Sequence, residues 1–153
     1  MKLYVIQHGN PVPKEDNPDR PLSIQGERDV RKIALYLEEH AIRLQEILHS
    51  GKTRARQTAE IMMSALNPDA DLVKRGGLSP LDDPNLIVDY IKDRQKDLMI
   101  VGHLPHLSKL VSLLVSGSES VSVVTFQQGG VVCLERKKEG DWTVVWMIIP
   151  DMV

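Results

Sequence analysis

The chain predicts an α/β domain with a mostly parallel central sheet and helices on both of its faces. Three observations carry that expectation. Short apolar runs alternate with segments whose apolar residues recur at helical spacing. Two of the runs, "KLYVIQ" (2–7) and "DLMIVG" (97–102), are almost continuously apolar, as strands buried on both faces are. The connections between them are rich in Pro, Gly, Asn and Asp. No repeat, low-complexity tract or linker divides the chain, so residues 1–153 read as one domain.

The elements follow in order. After the strand at 2–7, "NPVPKEDNPDRP" reads as a loop. In "SIQGERDVRKIALYLEEH" (23–40), Val30, Ile33, Ala34 and Leu37 make one helical face, and Ser23 is a suitable N-cap. "EILH" (46–49) is a short strand. The helix at 52–66 aligns Ala55, Ala59, Met62 and Leu66. "ADLVKR" (70–75) suggests a strand, "GGLSPLDDP" a loop, and 85–95 a helix with Leu86, Ile87, Tyr90 and Ile91 inward. The strand at 97–102 leads to a helix at 104–115, with Leu107, Leu110, Val111 and Leu114 on its apolar face. "SVSVVTF" (120–126), "GGVVCLER" (129–136) and "WTVVWMII" (142–149) then read as strands toward one side of the sheet. Right-handed crossovers place the helices on both faces.

Composition narrows the function classes. The chain is 42% hydrophobic and 26% charged, with a net charge of -2, which points to neither nucleic acid nor a membrane surface as partner. No apolar stretch approaches the roughly 20 residues of a membrane span, and no secretory signal is visible. The lone Cys133 lies in an apolar run, reads as a buried small hydrophobe, and fits a reducing, cytoplasmic setting. A monomer is the default expectation.

Polar stretches follow three of the strands directly: "QHGN" after 2–7, "HSGKTRARQT" after 46–49 and "GHLPH" after 97–102. Open α/β sheets bind ligands beyond the carboxyl ends of their strands. His8, an arginine of 54 or 56, and His103 should therefore meet at one edge. Two imidazoles and a guanidinium suit phosphoryl chemistry. Arginine grips phosphate oxygens with paired donors. A neutral imidazole can attack phosphorus, and a second can donate to the transferring group. The N-terminus of the 52–66 helix adds N–H groups, and Gly9 allows close backbone approach to a ligand.

Four motifs in order, "QHGN" (7–10), "LSIQG" (22–26), "SGKTRARQTAEI" (50–61) and "VGHLP" (101–105), resemble the histidine phosphatase superfamily. The small size and "VGHLP" resemble its SixA-type phosphohistidine phosphatases most. The resemblance implies a three-layer α/β/α sandwich of the phosphoglycerate mutase-like kind. It implies His8 as the phosphorylated nucleophile, Arg54 as the phosphate clamp and His103 as the second histidine. Gln7, Gly9 and Asn10 would contact substrate, and Ser50 would support the His8 loop. Arg56 falls on a variable position. The resemblance implies no metal and no cofactor. The substrate would be a phosphorylated protein carrying phosphohistidine, or a small phosphomonoester. Asp82 and Asp83 are candidate acids, or caps of the following helix.

The sequence departs from the pattern at Gln7, where the family has arginine. A neutral donor in place of a charged one is worth about 1–2 kcal/mol less, roughly ten- to thirtyfold in rate. The missing cation should also ease protonation of His8. Lys14, Arg20 or Lys52 could restore the charge. Three readings stand: a phosphatase with a modified clamp, a non-catalytic phosphate or phosphohistidine binder, and a metal site of His8, His103 and His106. In this scheme His106 is a first-turn helix residue near the site mouth, and His40 and His49 are structural.

Overall fold

The computed structural model describes residues 1–153. Its elements are β1 (Lys2–Gln7), α1 (Ile24–Glu39), β2 (Glu46–His49), α2 (Thr53–Leu66), β3 (Asp71–Lys74), α3 (Asn85–Ile91), β4 (Leu98–Gly102), α4 (His106–Ser116), β5 (Val131–Arg136) and β6 (Trp142–Ile148). A 3-10 turn at Pro150–Met152 closes the chain. The strands form one sheet in the order β3-β2-β4-β1-β5-β6. β1, β4, β2 and β3 are parallel, and β5 and β6 add an antiparallel pair at one edge. No helix is long and apolar enough to cross a membrane.

Strand alternation sorts the two cores. Tyr4 and Ile6 of β1 pack with Val30, Ile33 and Leu37 of α1 and with Ala59 and Met62 of α2. Leu3 and Val5 face the opposite way, toward Ile87 and Ile91 of α3 and Leu107 and Leu110 of α4. The result is a three-layer α/β/α sandwich. Cys133 is buried within it. Each fully buried Leu, Ile or Val contributes roughly 1.5–3 kcal/mol, so the central strands are the strongest anchors of the edge where they end.

Three expectations need correction. Residues 120–126 form no strand. The edges of the sheet are β3 and β6, and the segment pairs with neither. Val123 and Val124 pack against the core without pairing. Leu86 is 56% exposed, because the inward positions of α3 are Ile87 and Ile91. The same helix stops at Ile91, well short of residue 95. There the chain tightens, with the Arg94 N–H donating to the Ile91 carbonyl at 3.2 Å. The Arg136 guanidinium donates to the carbonyls of Ile91, Lys92 and Arg94, capping the helix end from β5.

Candidate active site

Gln7 and Gly102 are the last paired residues of the parallel β1–β4 ladder. The His8 N–H still donates to the Gly102 carbonyl at 3.1 Å. One step further, His8 and His103 stand side by side, their ring centres 4.9 Å apart. Register alone brings together two histidines that are distant in sequence.

His8 is 7% exposed. Its Nδ1 lies 2.7 Å from the Gly9 carbonyl, which can only accept, so Nδ1 carries the hydrogen. The Nε2 lone pair is then free to accept from Arg54 Nε, at 3.2 Å. Burial is the largest influence and pushes the His8 pKa down to about 4; the Gly9 bond opposes it, and the charges of Arg54 and Arg20 reinforce it. The expected ease of protonation is therefore not found. Burial outweighs the missing cation, and His8 is neutral at pH 7.

His103 is 2% exposed. Its Nε2 lies 2.6 Å from Ser50 Oγ, and its Nδ1 is buried without a partner. Burial first, then the neighbouring His8, Arg54 and Lys52, pushes its pKa down to about 3. Ser50 thus supports His103, rather than the His8 loop as expected. Its Oγ also accepts from the Lys52 N–H at 3.3 Å.

Thr58, which the sequence reading did not single out, supports the His8 loop instead. Its fully buried hydroxyl accepts from the Gly9 N–H at 3.1 Å and donates to the Arg54 carbonyl at 2.8 Å. Gln57 is a second residue missed. Its Oε1 accepts from the Leu22 N–H at 2.7 Å, tying the second motif to α2. Both sit in "RARQTAEI", three and four residues past Arg54, on the same side of the helix. That spacing was the available signal. Arg56 pairs with Glu60 at 3.1 Å on the solvent side of α2.

Glycines let the first two motifs interlock. A Cβ on Gly26 would lie 2.1 Å from the Asn10 carbonyl oxygen, and one on Gly9 would lie 2.7 Å from Val30. The small size of Gly9 therefore serves packing against α1 rather than ligand approach, and its N–H is taken by Thr58. Ser23 caps α1 by accepting from the Gly26 N–H and also donates to Asn10. Asn10 is exposed, and its amide donates to Gln128 at 3.0 Å. In that turn the Gly129 N–H donates to the Gln7 carbonyl at 2.9 Å, with φ +76° that favours glycine.

Gln7 is half-buried, and its Oε1 has no hydrogen-bond partner. Lys14 stands exposed beside the Pro13 turn, Lys52 acts on His103, and Arg20 acts on both His8 and Arg54. His106 is not at a site mouth. It is fully buried at the start of α4. No three His, Cys, Asp or Glu side chains gather as a metal-binding set, so His8, His103 and His106 do not form one. His49 accepts from the Gly51 N–H and His40 contacts the Tyr36 carbonyl, both local structural bonds.

Asp82 accepts from the Ser79 N–H, and Asp83 accepts from the Asn85 main chain and side chain. Those Asn85 bonds hold the Asp83 carboxyl below its ordinary range, as an anion. Both aspartates serve the turn into α3. Residues 50–52 and 103–105 are all that join β2 to α2 and β4 to α4, so neither connection is long enough to roof the edge. An apolar cavity of about 520 Å³ is lined by Tyr36, His40, Ile42 and Trp146 among others, and by neither His8 nor His103.

Residues 3–79 match the family model of the histidine phosphatase superfamily, branch 1. An uncharacterised protein of Picosynechococcus sp. is 30% identical over 125 residues, covering 76% of this chain and 74% of that one. The phosphohistidine phosphatase SixA of Escherichia coli is 23% identical over 155 residues, covering 98% and 94%. A solved protein histidine phosphatase SixA, complexed with tungstate, superposes with a TM-score of 0.88 at 22% identity, covering 99% of each chain.

Proposed function

The chain belongs to the histidine phosphatase superfamily, and from that premise we propose that it is a phosphohistidine phosphatase working through a phosphorylated His8. The observation that carries this reading is the state of His8: neutral, with Nδ1–H held by its own main chain and the Nε2 lone pair turned to Arg54. A nucleophile must be unprotonated, and this imidazole turns its unprotonated Nε2 toward the arginine that would hold the phosphoryl group.

The reaction runs in two displacements. His8 Nε2 attacks phosphorus while the bond to the leaving group breaks. If that group is another imidazole with its distal nitrogen protonated, it departs with the electron pair as a neutral ring and needs no acid. Water then attacks the phosphorus of phospho-His8. The P–N bond breaks, its electron pair returns to Nε2, and both protons of the water leave with the phosphate as dihydrogen phosphate, which gives up its excess proton to solvent. Arg54 and the uncapped first turn of α2 counter the phosphoryl charge. His103, beside His8, adds a donor to the transferring group through the N–H of its neutral ring, its tautomer set through the contact with Ser50.

The engagement of Asp82 and Asp83 in turn contacts favours this leaving group over an alkoxide, which would need a proton. The relatives named SixA lend the same substrate class by similarity. The Gln7 departure keeps the binder as the competing reading.

The test incubates the protein with a phosphohistidine protein and with an aryl phosphate, beside His8→Ala. The expected result is phosphate release from the first at the higher kcat/KM, an acid-labile phosphoenzyme, and loss of both in the variant. Phosphate binding without turnover would establish the binder. Turnover persisting in His8→Ala would overturn the mechanism.

A further inference from the structure

Position 7 carries no charge, yet Arg54 contacts His8 and the charge of a second guanidinium, that of Arg20, reaches it from the neighbouring loop. Arg20 lies in the β1–α1 connection, two residues before Leu22, which Gln57 fastens to α2 one turn from Arg54. The connection is closed by an antiparallel bridge between Pro11 and Leu22 and by the Val12 N–H donating to the Pro21 carbonyl at 2.7 Å. Arg20 Nε donates to the Val12 carbonyl at 3.4 Å, leaving the outer edge of the fork free. Its backbone holds φ 46°, in the left-handed region a non-glycine residue keeps only when its surroundings demand it.

The four ion pairs of the molecule include neither Arg20 nor Arg54. Both are half-buried, and the charge of Arg20 reaches Arg54 as well as His8. Two like charges brought together without a carboxylate between them repel, and a bound dianion reverses the sign of that arrangement. A phosphoryl group fits, because each guanidinium can offer it paired donors.

We propose that Arg20 is the second phosphate-clamping guanidinium of this site, supplying from the β1–α1 connection the charge that the family pattern carries at position 7. The inference rests on the phosphatase reading and makes Gln7 a relocation of the clamp rather than a loss of it. Arg20 and Arg54 then share the phosphoryl oxygens, and the Gln7 amide adds only neutral donors.

A charge-transplant cycle tests this, using Gln7→Arg, Arg20→Gln and the double variant. Two readouts are followed: turnover of a phosphohistidine protein, and inorganic phosphate binding by calorimetry. Arg20→Gln is expected to lower kcat/KM by about ten- to thirtyfold, the difference between a charged and a neutral donor. It should weaken phosphate binding comparably and move the acid limb of the pH–rate profile upward. The double variant is expected to regain most of each. A purely structural role for Arg20 would not be rescued by a cation at position 7. Gln7→Arg alone, which leaves the Arg20 loop intact, should gain less than about threefold, since the place is filled.

A larger gain would overturn the proposal. So would a folded Arg20→Gln protein within about twofold of wild type in both readouts, or a double variant no better than it. Loss of turnover in His8→Ala with a flat Arg20 series would sink the clamp alone. Absence of turnover in the wild type would sink the phosphatase reading, while phosphate binding would still decide on Arg20.

Discussion

Thr58→Val removes one hydroxyl and almost nothing else, so its effect can be worked from the contacts. Valine keeps the β-branched shape, and the site is fully buried. The Arg54 carbonyl retains its helical N–H partner, so its loss is slight. The Gly9 N–H loses its buried acceptor outright. An unsatisfied buried donor costs about 1–3 kcal/mol. For a chain of this size that lowers Tm by roughly 2–4 °C per kcal/mol. The catalytic effect should follow from the same peptide unit. Gly9 supplies the carbonyl that fixes His8 Nδ1–H, and a loosened Gly9 lets the imidazole turn. We expect kcat to fall about tenfold with little change in KM, since positioning rather than binding is disturbed. Urea and thermal denaturation give the first number, and steady-state kinetics the second. Thr58→Ser keeps the hydroxyl and should retain most of kcat while losing some stability to the missing methyl. If Thr58→Val unfolds within about 0.5 kcal/mol of wild type and keeps its kcat, the hydroxyl does not hold the His8 loop and the reasoning is wrong.

The two histidines should make folding acid-sensitive. Their folded pKa values, about 4 for His8 and about 3 for His103, lie below the ordinary 6.5. The unfolded chain therefore binds more protons in that window, and stability falls as pH drops from 6.5 toward 4. His8→Asn should remove on the order of 2–3 kcal/mol of the loss measured by denaturation between pH 7 and pH 4.5; an unchanged loss would contradict the burial argument. In the wild type the acid limb of kcat/KM should sit near pH 4 rather than 6.5. Gly26→Ala should destabilise the fold by more than about 2 kcal/mol and depress activity, because its Cβ meets the Asn10 backbone rather than a movable side chain; a near-neutral melting shift would refute the interlock.

The fold was legible where one local pattern had one tertiary use. The continuous apolar runs of β1 and β4 could be satisfied only by burial on both faces, and the apolar stripe of α1 had a single face to cover. Residues 120–126 misled because their alternating valines are satisfied by packing Val123 and Val124 on the core, without joining a ladder. Leu86 misled because the inward stripe of the short α3 is narrow and runs through Ile87 and Ile91, which leaves Leu86 on its exposed flank. At the site, strand-end logic was enough to bring His8, His103 and an arginine of 54 or 56 to one edge, and the family resemblance chose Arg54. Ser50, Thr58 and Gln57 were harder. A hydroxyl or amide within a motif has several partners in reach, and only the packed backbone selects among them. Arg20 was one of three cations that sequence alone could not rank, since the bridge between Pro11 and Leu22 decides where its loop turns.

The strand order also bears on when the protein becomes competent. β1 lies inside the sheet, flanked by β4 on one side and by β5 on the other, with Lys2 opposite Glu135. During synthesis, the segment that carries His8 therefore leaves the ribosome long before either flank exists. Its second imidazole arrives only with residue 103, and the far side of the strand is closed later still. A truncated or half-made chain thus holds an exposed apolar strand with a histidine at its end and no chemistry to offer. Phosphoryl transfer begins only when nearly the whole chain has been threaded into place.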